Sequence, residues 1–494
     1  MDLTREQENM IKDYVSSIRE GKASIFAGAG LSIPSGAPSW KDLLRDIAYE
    51  LELNVDKETD LISLAQYYIN KRSKAQIGDL ISSNFGNHLK CTINQQLIAQ
   101  LPIDTIWTTN YDELLENAFK NEHKKIAVKR SVKDFSIVGT RNDATIYKMH
   151  GCVTQATDVI ISKKDYERYN DTHSVYTTAL KGDLVSRTFL FIGFSFEDPN
   201  LDYVLGRISF LMGENKPKHY FFVKELEKEV GESEEDFSYR RVRQKLKIDD
   251  LSSRYGIYAV MVKEYEDITT ILKIINLKVR INNIFISGAI ETFGILEEKC
   301  THDFISSLAS KLIEKNYKLV SGFGVGVGSD VIHGVLSKIS SDPSMRLDDH
   351  LKVYPFPQTV ATKDRKQVWQ EYREHILEEV GINIILFGNK IIDGKCIISD
   401  GVIEEFEIAC NRGIKIIPVG CTGDAAKHIN DIVLNEPEKY YGNNEKLIGM
   451  IKSLNEYQLT QENINSIIDD IINIIIDDII NIIIEIQNKE YGVN

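Results

Sequence analysis

The chain has 494 residues, of which 43% are hydrophobic and 27% are charged, and its formal net charge is −14. This length and composition indicate a globular protein of about two to four domains with ample core. The net negative charge excludes nucleic-acid binding as a main activity, because an acidic surface repels a phosphate backbone. A local basic pocket that binds one small nucleotide is still compatible with this net charge.

The first part of the chain alternates helix and strand patterns. It begins with a polar helical stretch, which is not a signal peptide, and no uncharged apolar run of about 20 residues predicts a membrane span. Short apolar strands separated by helices predict a parallel sheet that binds ligands at the carboxyl ends of its strands. The predicted helices are residues 43–51 and 61–70, and the predicted strands are residues 23–26, 105–109, 145–149, 189–194 and 257–262.

A glycine-rich loop at residues 27–32 follows the first predicted strand. Glycines after a strand let the backbone approach a pyrophosphate, and the next helix N-terminus offers free N–H groups. Asn110, His150 and Ser195 each come directly after a predicted strand, so we expect them to face one crevice. Taken alone, however, such an asparagine is more often a turn residue and a lone histidine more often a core residue.

The region after the last of these strand ends contains a predicted helix start and a charge-rich segment. Asp198 and Pro199 suit the cap and first turn of a helix, and we interpret Asp198 as a cap alone. Residues 224–243 are charge-rich and predict a solvated helix and loop. A domain boundary is predicted near residues 276–282, so the two domains are expected to span residues 1–280 and 283–494.

A second α/β domain is predicted after this boundary. Its strands are predicted near residues 283–289, 317–321, 382–387 and 415–419, and the second of them runs into alternating glycines. The chain ends with a direct repeat of IIDDIINI at residues 467–474 and 475–482. The repeat places its aspartates on one face of a helix and its isoleucines opposite, which predicts an amphipathic helix that packs on the protein or on another subunit.

The order of four segments in the first domain resembles the sirtuin superfamily. They are the glycine loop with its serine, Thr-Thr-Asn-Tyr-Asp, His-Gly and Gly-Phe-Ser, and the resemblance covers residues 10–275. It implies a Rossmann-like domain with NAD+ as its substrate, in which Asn110 and His150 are catalytic. Asn110 would bind a ribose hydroxyl or water, and His150 would accept a proton. The other implied NAD+ contacts are Ala27, Gly28, Ala29, Gly30, Ser32, Thr109, Asp112, Gly193 and Ser195.

Two departures from the deacetylase sirtuins bear on the reaction. The six cysteines form no Cys-x-x-Cys pair, so no zinc module and no other metal site is expected, and free thiols favour a reducing cytoplasm. The Asp-Phe-Arg element that follows the glycine loop in those enzymes is also missing. Water is the simplest remaining acceptor, which predicts an NAD+ hydrolase. A protein deacylase, an ADP-ribosyltransferase and a non-catalytic nucleotide-responsive scaffold remain as alternatives.

The second domain resembles the SLOG family of Rossmann-like nucleotide sensors over residues 283–460. The Pro-Gly-Gly platform of the related phosphoribohydrolases is reduced to Gly-x-x-x-Glu at residues 401–405, which favours binding of a nucleotide over its cleavage. Backbone around the glycines would wrap phosphates, and two cations and a carboxylate would hold phosphate and ribose. The implied contacts are Ser287, Gly288, Gly322, Gly324, Gly326, Gly328, Arg373, Lys390 and Glu405.

A sirtuin-like domain followed by a SLOG domain resembles the effectors of the Thoeris antiphage system. That resemblance implies a small-molecule signal, a cyclic ADP-ribose isomer made by a TIR-domain enzyme, which binds the SLOG domain and activates depletion of cellular NAD+. It also implies a homotetramer able to form filaments. The fold class expected is therefore α/β, with a parallel-sheet sirtuin-like domain carrying helical insertions and then a Rossmann-like SLOG domain.

Overall fold

The structure is a computed structural model that describes residues 3–137, 142–196, 198–293, 297–356, 365–442 and 444–474. Contacts within the chain divide it into two compact units, Met1–Asn276 and Leu277–Asn494. Each unit contains a parallel β-sheet, which confirms the predicted α/β class with two successive parallel-sheet domains. Among the helices of the described ranges, none is long and apolar enough to cross a lipid bilayer.

The first unit is built on a seven-stranded sheet in which every strand pair is parallel. Its strand order is β3-β4-β2-β1-β5-β6-β7. The two central strands that follow residues 22 and 104 are buried along their whole length, because helices cover both faces of a parallel sheet. The strands are β1 (Ala23–Ala27), β2 (Thr105–Thr108), β3 (Ile126–Lys129), β4 (Ala144–Lys148), β5 (Thr188–Ile192), β6 (His219–Lys224) and β7 (Ile257–Val262).

Helices of the first unit pack on this sheet and fill the segments between its strands. The N-terminal helix begins with a capping box, in which the Thr4 hydroxyl accepts from the Gln7 backbone and the Gln7 side chain reaches back. The helices are α1 (Arg5–Arg19), α2 (Trp40–Leu43), α3 (Arg45–Glu50), α4 (Leu61–Lys71), α5 (Lys74–Phe85), α6 (Ile93–Gln100), α7 (Leu114–Asn121), α8 (Lys163–Glu167), α9 (Tyr169–Thr172), α10 (Ser174–Ser186), α11 (Pro199–Met212), α12 (Glu234–Tyr255) and α13 (Glu266–Ile281).

One predicted helix of this unit is interrupted. Instead of one helix over residues 43–51, the chain forms α2 and α3, separated at Leu44. Leu44 has φ of −92° and ψ of 1°, outside the helical region, and its side chain is fully buried. The predicted single helix is therefore wrong in its continuity, and Leu43, Leu44, Ile47 and Ala48 of this stretch are buried in the core.

The second unit has a five-stranded parallel sheet in the order β10-β9-β8-β11-β14 and a separate antiparallel hairpin, β12-β13. Its strands are β8 (Asn283–Ala289), β9 (Lys318–Ser321), β10 (Leu351–Val353), β11 (Ile382–Phe387), β12 (Asn389–Ile392), β13 (Lys395–Ile398) and β14 (Lys415–Pro418). Its helices are α14 (Glu298–Glu314), α15 (Gly328–Ser341), α16 (Leu347–His350), α17 (Arg365–Ile376), α18 (Asp400–Asn411), α19 (Asp424–Asn435), α20 (Pro437–Tyr441) and α21 (Glu445–Glu456).

The first copy of the C-terminal repeat is helical within residues 464–474. Ile467, Ile468, Ile471 and Ile472 are buried in the core of the second unit, whereas Asp469 is exposed. This segment therefore packs on the body of the protein with the amphipathic pattern that the sequence predicts. The second copy, at residues 475–482, lies outside the described residues.

Candidate functional site

The register of the first sheet brings the ends of four strands to one edge. Thr108 of β2 pairs with Lys148 of β4, and Ala27 of β1 pairs with both Thr108 and Ile192. Asn110 and His150 each lie two residues beyond a paired position, and the glycine loop and Gly193 follow β1 and β5. The segments that the sequence analysis selected therefore leave the sheet side by side, at the edge where parallel sheets bind ligands.

The glycines at this edge are required by a close crossing of two backbones. The N–H of Gly28 donates to the Ile192 carbonyl at 2.9 Å, and that of Gly30 donates to the Gly193 carbonyl at 2.9 Å. A Cβ on Gly30 would lie 2.8 Å from the Gly193 Cα, and Gly193 itself has φ of +66°. The Gly28 and Gly30 N–H groups are thus both occupied within the protein in this structure.

Asn110 is held by its amide nitrogen and leaves its amide oxygen without a partner. The Nδ2 group donates to the Gly28 carbonyl and to the Ser32 Oγ, each at 3.0 Å. The Asn110 Oδ1 is buried and has no hydrogen-bond partner among the described residues. An unpaired buried acceptor costs about 1–3 kcal/mol, so this oxygen is well placed to receive a hydrogen bond from a ligand or from water.

Asp112 supports Asn110 through Ser32. The Ser32 hydroxyl donates to the Asp112 Oδ2 at 2.8 Å, and the Asp112 Oδ1 accepts from the Leu114 N–H at 3.0 Å. Both carboxylate oxygens of Asp112 are thus engaged inside the protein, at the start of α7. Within this structure, Asp112 and Ser32 orient the Asn110 amide.

A buried ion pair lies beneath this network. The Lys148 Nζ is 3.0 Å from the Glu116 Oε1 and also donates to the Asp112 carbonyl, and the Lys148 side chain is 1% exposed. Beside it, the Arg130 guanidinium pairs with Glu113 at 2.9 Å. Glu113, Glu116 and Cys152 come close enough together to hold a cation, but the two basic side chains already neutralise both carboxylates. The cluster is best described as an ion-pair network.

We expect Lys148→Met to destabilise the protein by about 3–5 kcal/mol, because it leaves the Glu116 carboxylate buried without its partner. The matched control is Lys22→Met, which breaks an exposed pair with Glu20 and should cost less than about 1 kcal/mol. Urea unfolding of the full-length variants measures both. Equal, small effects of the two substitutions would show that Lys148 does not stabilise this edge of the sheet.

His150 is buried, with 2% of its surface exposed. Its Nε2 lies 3.2 Å from the Asp198 Oδ2, but the two groups are not aligned as a hydrogen bond. Burial lowers the pKa of His150 from its ordinary value of 6.5, and the negative charge of Asp198 partly opposes this shift. The imidazole is therefore neutral at pH 7, the form that accepts a proton.

Asp198 has a role beyond the one predicted for it. Its Oδ1 accepts from the Asn200 and Leu201 N–H groups, both at 3.0 Å, as expected of a helix cap. Its Oδ2, however, faces His150 and accepts a hydrogen bond from the Tyr166 hydroxyl at 3.3 Å. The interpretation of Asp198 as a cap alone is thus wrong. The available signal was its position shortly after β5, at the sheet edge that also carries Asn110 and His150.

The remaining predicted NAD+ contacts differ in their exposure. Gly28, Ser32 and Asp112 are buried, and Thr109 is half-buried. Ala27 is the last, buried residue of β1. The exposed positions, which solvent or a ligand reaches at this edge, are Ala29, Gly30, Gly193 and Ser195.

In the second unit, the predicted polar contacts gather around the N-terminal part of α18. The Ser287 hydroxyl donates to the Glu405 carboxylate, and burial raises the pKa of Glu405. The Arg373 Nη1 is 2.5 Å from the Glu404 Oε2, and its Nε is 3.7 Å from the Glu405 Oε1. The Lys390 Nζ is 2.6 Å from the Asp400 Oδ1. Each predicted phosphate-binding cation is thus paired with a carboxylate of the protein.

Aromatic rings fix the position of the Arg373 guanidinium. It lies over the rings of Phe356 and Trp369, 5.1 Å and 5.9 Å from their centroids. Its Nη2 would be 2.7 Å from a Cβ on Gly401, the glycine of the Gly-x-x-x-Glu element. These ring contacts restrict the position of the guanidinium.

The glycines of the second unit pack against backbone, as those of the first unit do. A Cβ on Gly288 would lie 2.6 Å from the Leu386 carbonyl oxygen, and one on Gly328 would lie 2.6 Å from the Phe323 Cα. Gly326 has φ of +73°. Gly322 and Gly324 belong to the same loop between β9 and α15, beside the Phe356 ring and the Gly288 carbonyl. This loop therefore depends on glycine for its own close packing.

Family comparisons match both units. A SIR2-like domain model matches residues 104–249, and the model of the Sir2- and TIR-associating SLOG family matches residues 267–478. Four relatives found by comparison carry the name NAD(+) hydrolase ThsA, and three of them illustrate the similarity. The protein of Bacillus cereus is 41% identical over 94% of this chain and 97% of its own length. Those of Cytobacillus dafuensis and Acinetobacter baumannii are each 40% identical, over 89% and 91% of this chain and 90% and 95% of their own lengths.

Proposed function

The chain belongs to the ThsA family of NAD(+) hydrolases, and from that membership we propose that its first unit hydrolyses NAD+ to ADP-ribose and nicotinamide. The observation that carries the proposal is that a buried, unpartnered acceptor, Asn110 Oδ1, and the neutral imidazole of His150 lie at one edge of the sheet. Such an acceptor is costly in a folded protein unless a ligand or water uses it.

The proposed reaction assigns each of these residues one task. Nicotinamide leaves as the N-glycosidic bond to the ribose anomeric carbon breaks, and the oxygen of a water molecule bonds to that carbon. The Asn110 amide oxygen accepts a hydrogen bond from the water or from a ribose hydroxyl and so orients it. Neutral His150 accepts the proton that the water or hydroxyl loses, and it returns that proton to solvent.

We expect NAD+ alone to be a sufficient substrate, without any acylated peptide, because the chain lacks the cysteine pairs of a zinc module. Nicotinamide and ADP-ribose should appear in equal amounts, measured by chromatography. Turnover should also survive EDTA, since the proposed chemistry needs no Lewis acid. Products that form only with an acyl-peptide, or turnover that EDTA removes and zinc restores, would favour the deacylase reading instead.

For the second unit we propose a sensor role. Arg373 and Lys390 would bind the phosphates of a cyclic ADP-ribose isomer made by a TIR-domain enzyme, and Glu405 would bind its ribose hydroxyls. The Sir2- and TIR-associating description of the matching family model supports this assignment. We further propose that the bound signal activates a cytoplasmic homotetramer, and that the resulting loss of NAD+ serves antiphage defence.

A further inference from the structure

The two oxygens of the Asp198 carboxylate contact different groups. The Oδ1 satisfies the first N–H groups of α11, and it is the only atom that a helix cap needs. The Oδ2 points instead to the buried imidazole of His150, 3.2 Å from its Nε2. A serine or an asparagine would cap α11 equally well, so capping alone does not account for a charged carboxylate at this place.

The surroundings of His150 make Asp198 its closest charged neighbour in the described part of the chain. Tyr166 packs edge-on to the imidazole at 5.5 Å and donates its hydroxyl to the Asp198 Oδ2. Tyr169 lies 6.4 Å away and donates its own hydroxyl to the Met149 carbonyl. A second histidine, His173, stacks on Tyr169, and burial lowers its pKa. The two tyrosines and His173 are neutral, so the Asp198 carboxylate is the group among these neighbours whose charge acts on His150.

We propose that Asp198 is the positioning residue for His150: its carboxylate faces the imidazole Nε2 and stabilises the imidazolium formed when His150 accepts a proton. The proposal rests on the proposed function, in which His150 is the proton acceptor. When the water or ribose hydroxyl loses its proton to His150, the positive charge forms on a ring whose Nε2 lies 3.2 Å from the Asp198 carboxylate. The proton passes from the hydroxyl to the imidazole and then to solvent.

Asp198→Asn separates the two tasks, because the asparagine oxygen can still cap α11 while the charge facing His150 is lost. We expect turnover to fall by about 10- to 100-fold, the effect typical of a residue that orients a functional histidine, mainly in kcat. The acid limb of the pH–rate profile should also move to lower pH, because the Asp198 charge raises the pKa of His150. A residue with only a structural task would not move this limb.

The matched control is Asp60→Asn, which makes the same substitution at the cap of α4, where the carboxylate bonds to Ser63. It should leave both turnover and the pH profile unchanged. Wild-type turnover with an unaltered acid limb in Asp198→Asn would overturn the role of Asp198 alone. If the wild-type protein does not hydrolyse NAD+ under any activating nucleotide, the proposed function falls and this role falls with it.

Discussion

Replacing either Asn110 or His150 by alanine is expected to lower NAD+ turnover by about 10²–10⁴-fold. Asn110→Ala removes the oxygen that orients water or ribose, and it also leaves the Gly28 carbonyl and Ser32 hydroxyl without their donor. His150→Ala removes the proton acceptor. Initial rates with saturating NAD+ and activating nucleotide measure both effects, and calorimetry should give an unchanged nucleotide affinity for the second unit.

Two substitutions elsewhere in the first unit separate catalysis from stability. Asn276 is a buried asparagine whose Nδ2 donates to the Leu97 and Leu272 carbonyls, and His219 is a buried histidine whose Nδ1 accepts from the Phe189 N–H. Asn276→Ala and His219→Ala should therefore cost similar stability without the large loss of rate. If a catalytic variant keeps more than a few per cent of wild-type activity, that residue has no part in the reaction.

The pH dependence follows from the burial of His150. Because burial lowers its pKa below 6.5, His150 is neutral and active above that value. Activity is lost as the pH falls through the lowered pKa, so the wild-type acid limb should lie below pH 6.5. This places full His150 activity at the near-neutral pH of a cell interior.

The second large effect is an expected loss of nucleotide affinity at the site proposed for the second unit. Arg373→Ala and Lys390→Ala should each weaken binding of a cyclic ADP-ribose isomer by about 10- to 100-fold, the equivalent of a charge-assisted hydrogen bond of about 1.5–3 kcal/mol. Any ligand-independent rate should stay unchanged, because neither residue belongs to the first unit. Isothermal titration calorimetry and a dose–response of NAD+ hydrolysis measure the two consequences.

Lys439→Ala is the control for this site, since it removes an exposed cation that pairs with Glu436 elsewhere in the second unit. In the present structure, Glu404 and Asp400 occupy the two cations that the phosphates would need. Glu404→Gln should therefore bind the nucleotide at least as tightly as the wild type. Wild-type affinity in both Arg373→Ala and Lys390→Ala would remove these residues from the site.

The sequence predicted the elements that continuous apolar runs define. Strands such as β2, β4 and β5 are short, buried and separated by helices, so their existence and their shared edge could be inferred without coordinates. Asn110 and His150 were selected because each follows such a strand and because the order of the surrounding motifs resembles the sirtuin superfamily. Local rules of this kind work because a parallel sheet must bury both of its faces.

Features that depend on contacts between distant segments could not be predicted in this way. The pairing of Lys148 with Glu116 and the approach of Asp198 to His150 join residues 32 and 48 positions apart, and neither leaves a local pattern. The occupied amides of Gly28 and Gly30 depend likewise on the end of β5. The hairpin of β12 and β13 was not predicted, although a local pattern marks it. Asp393 and Gly394, both with positive φ, form an Asp-Gly turn between these two isoleucine-rich strands.

We propose that a nucleotide bound by the second unit turns on NAD+ hydrolysis by the first. NAD+ turnover of the full-length protein, measured with and without a panel of cyclic ADP-ribose isomers, tests this activation. A resting rate near zero and a sigmoidal rise with one isomer are expected, because several coupled sites in an oligomer share the roughly 5.5 kcal/mol that such a switch requires. Full turnover without any nucleotide, at dilutions where subunits separate, would show that the second unit does not control hydrolysis.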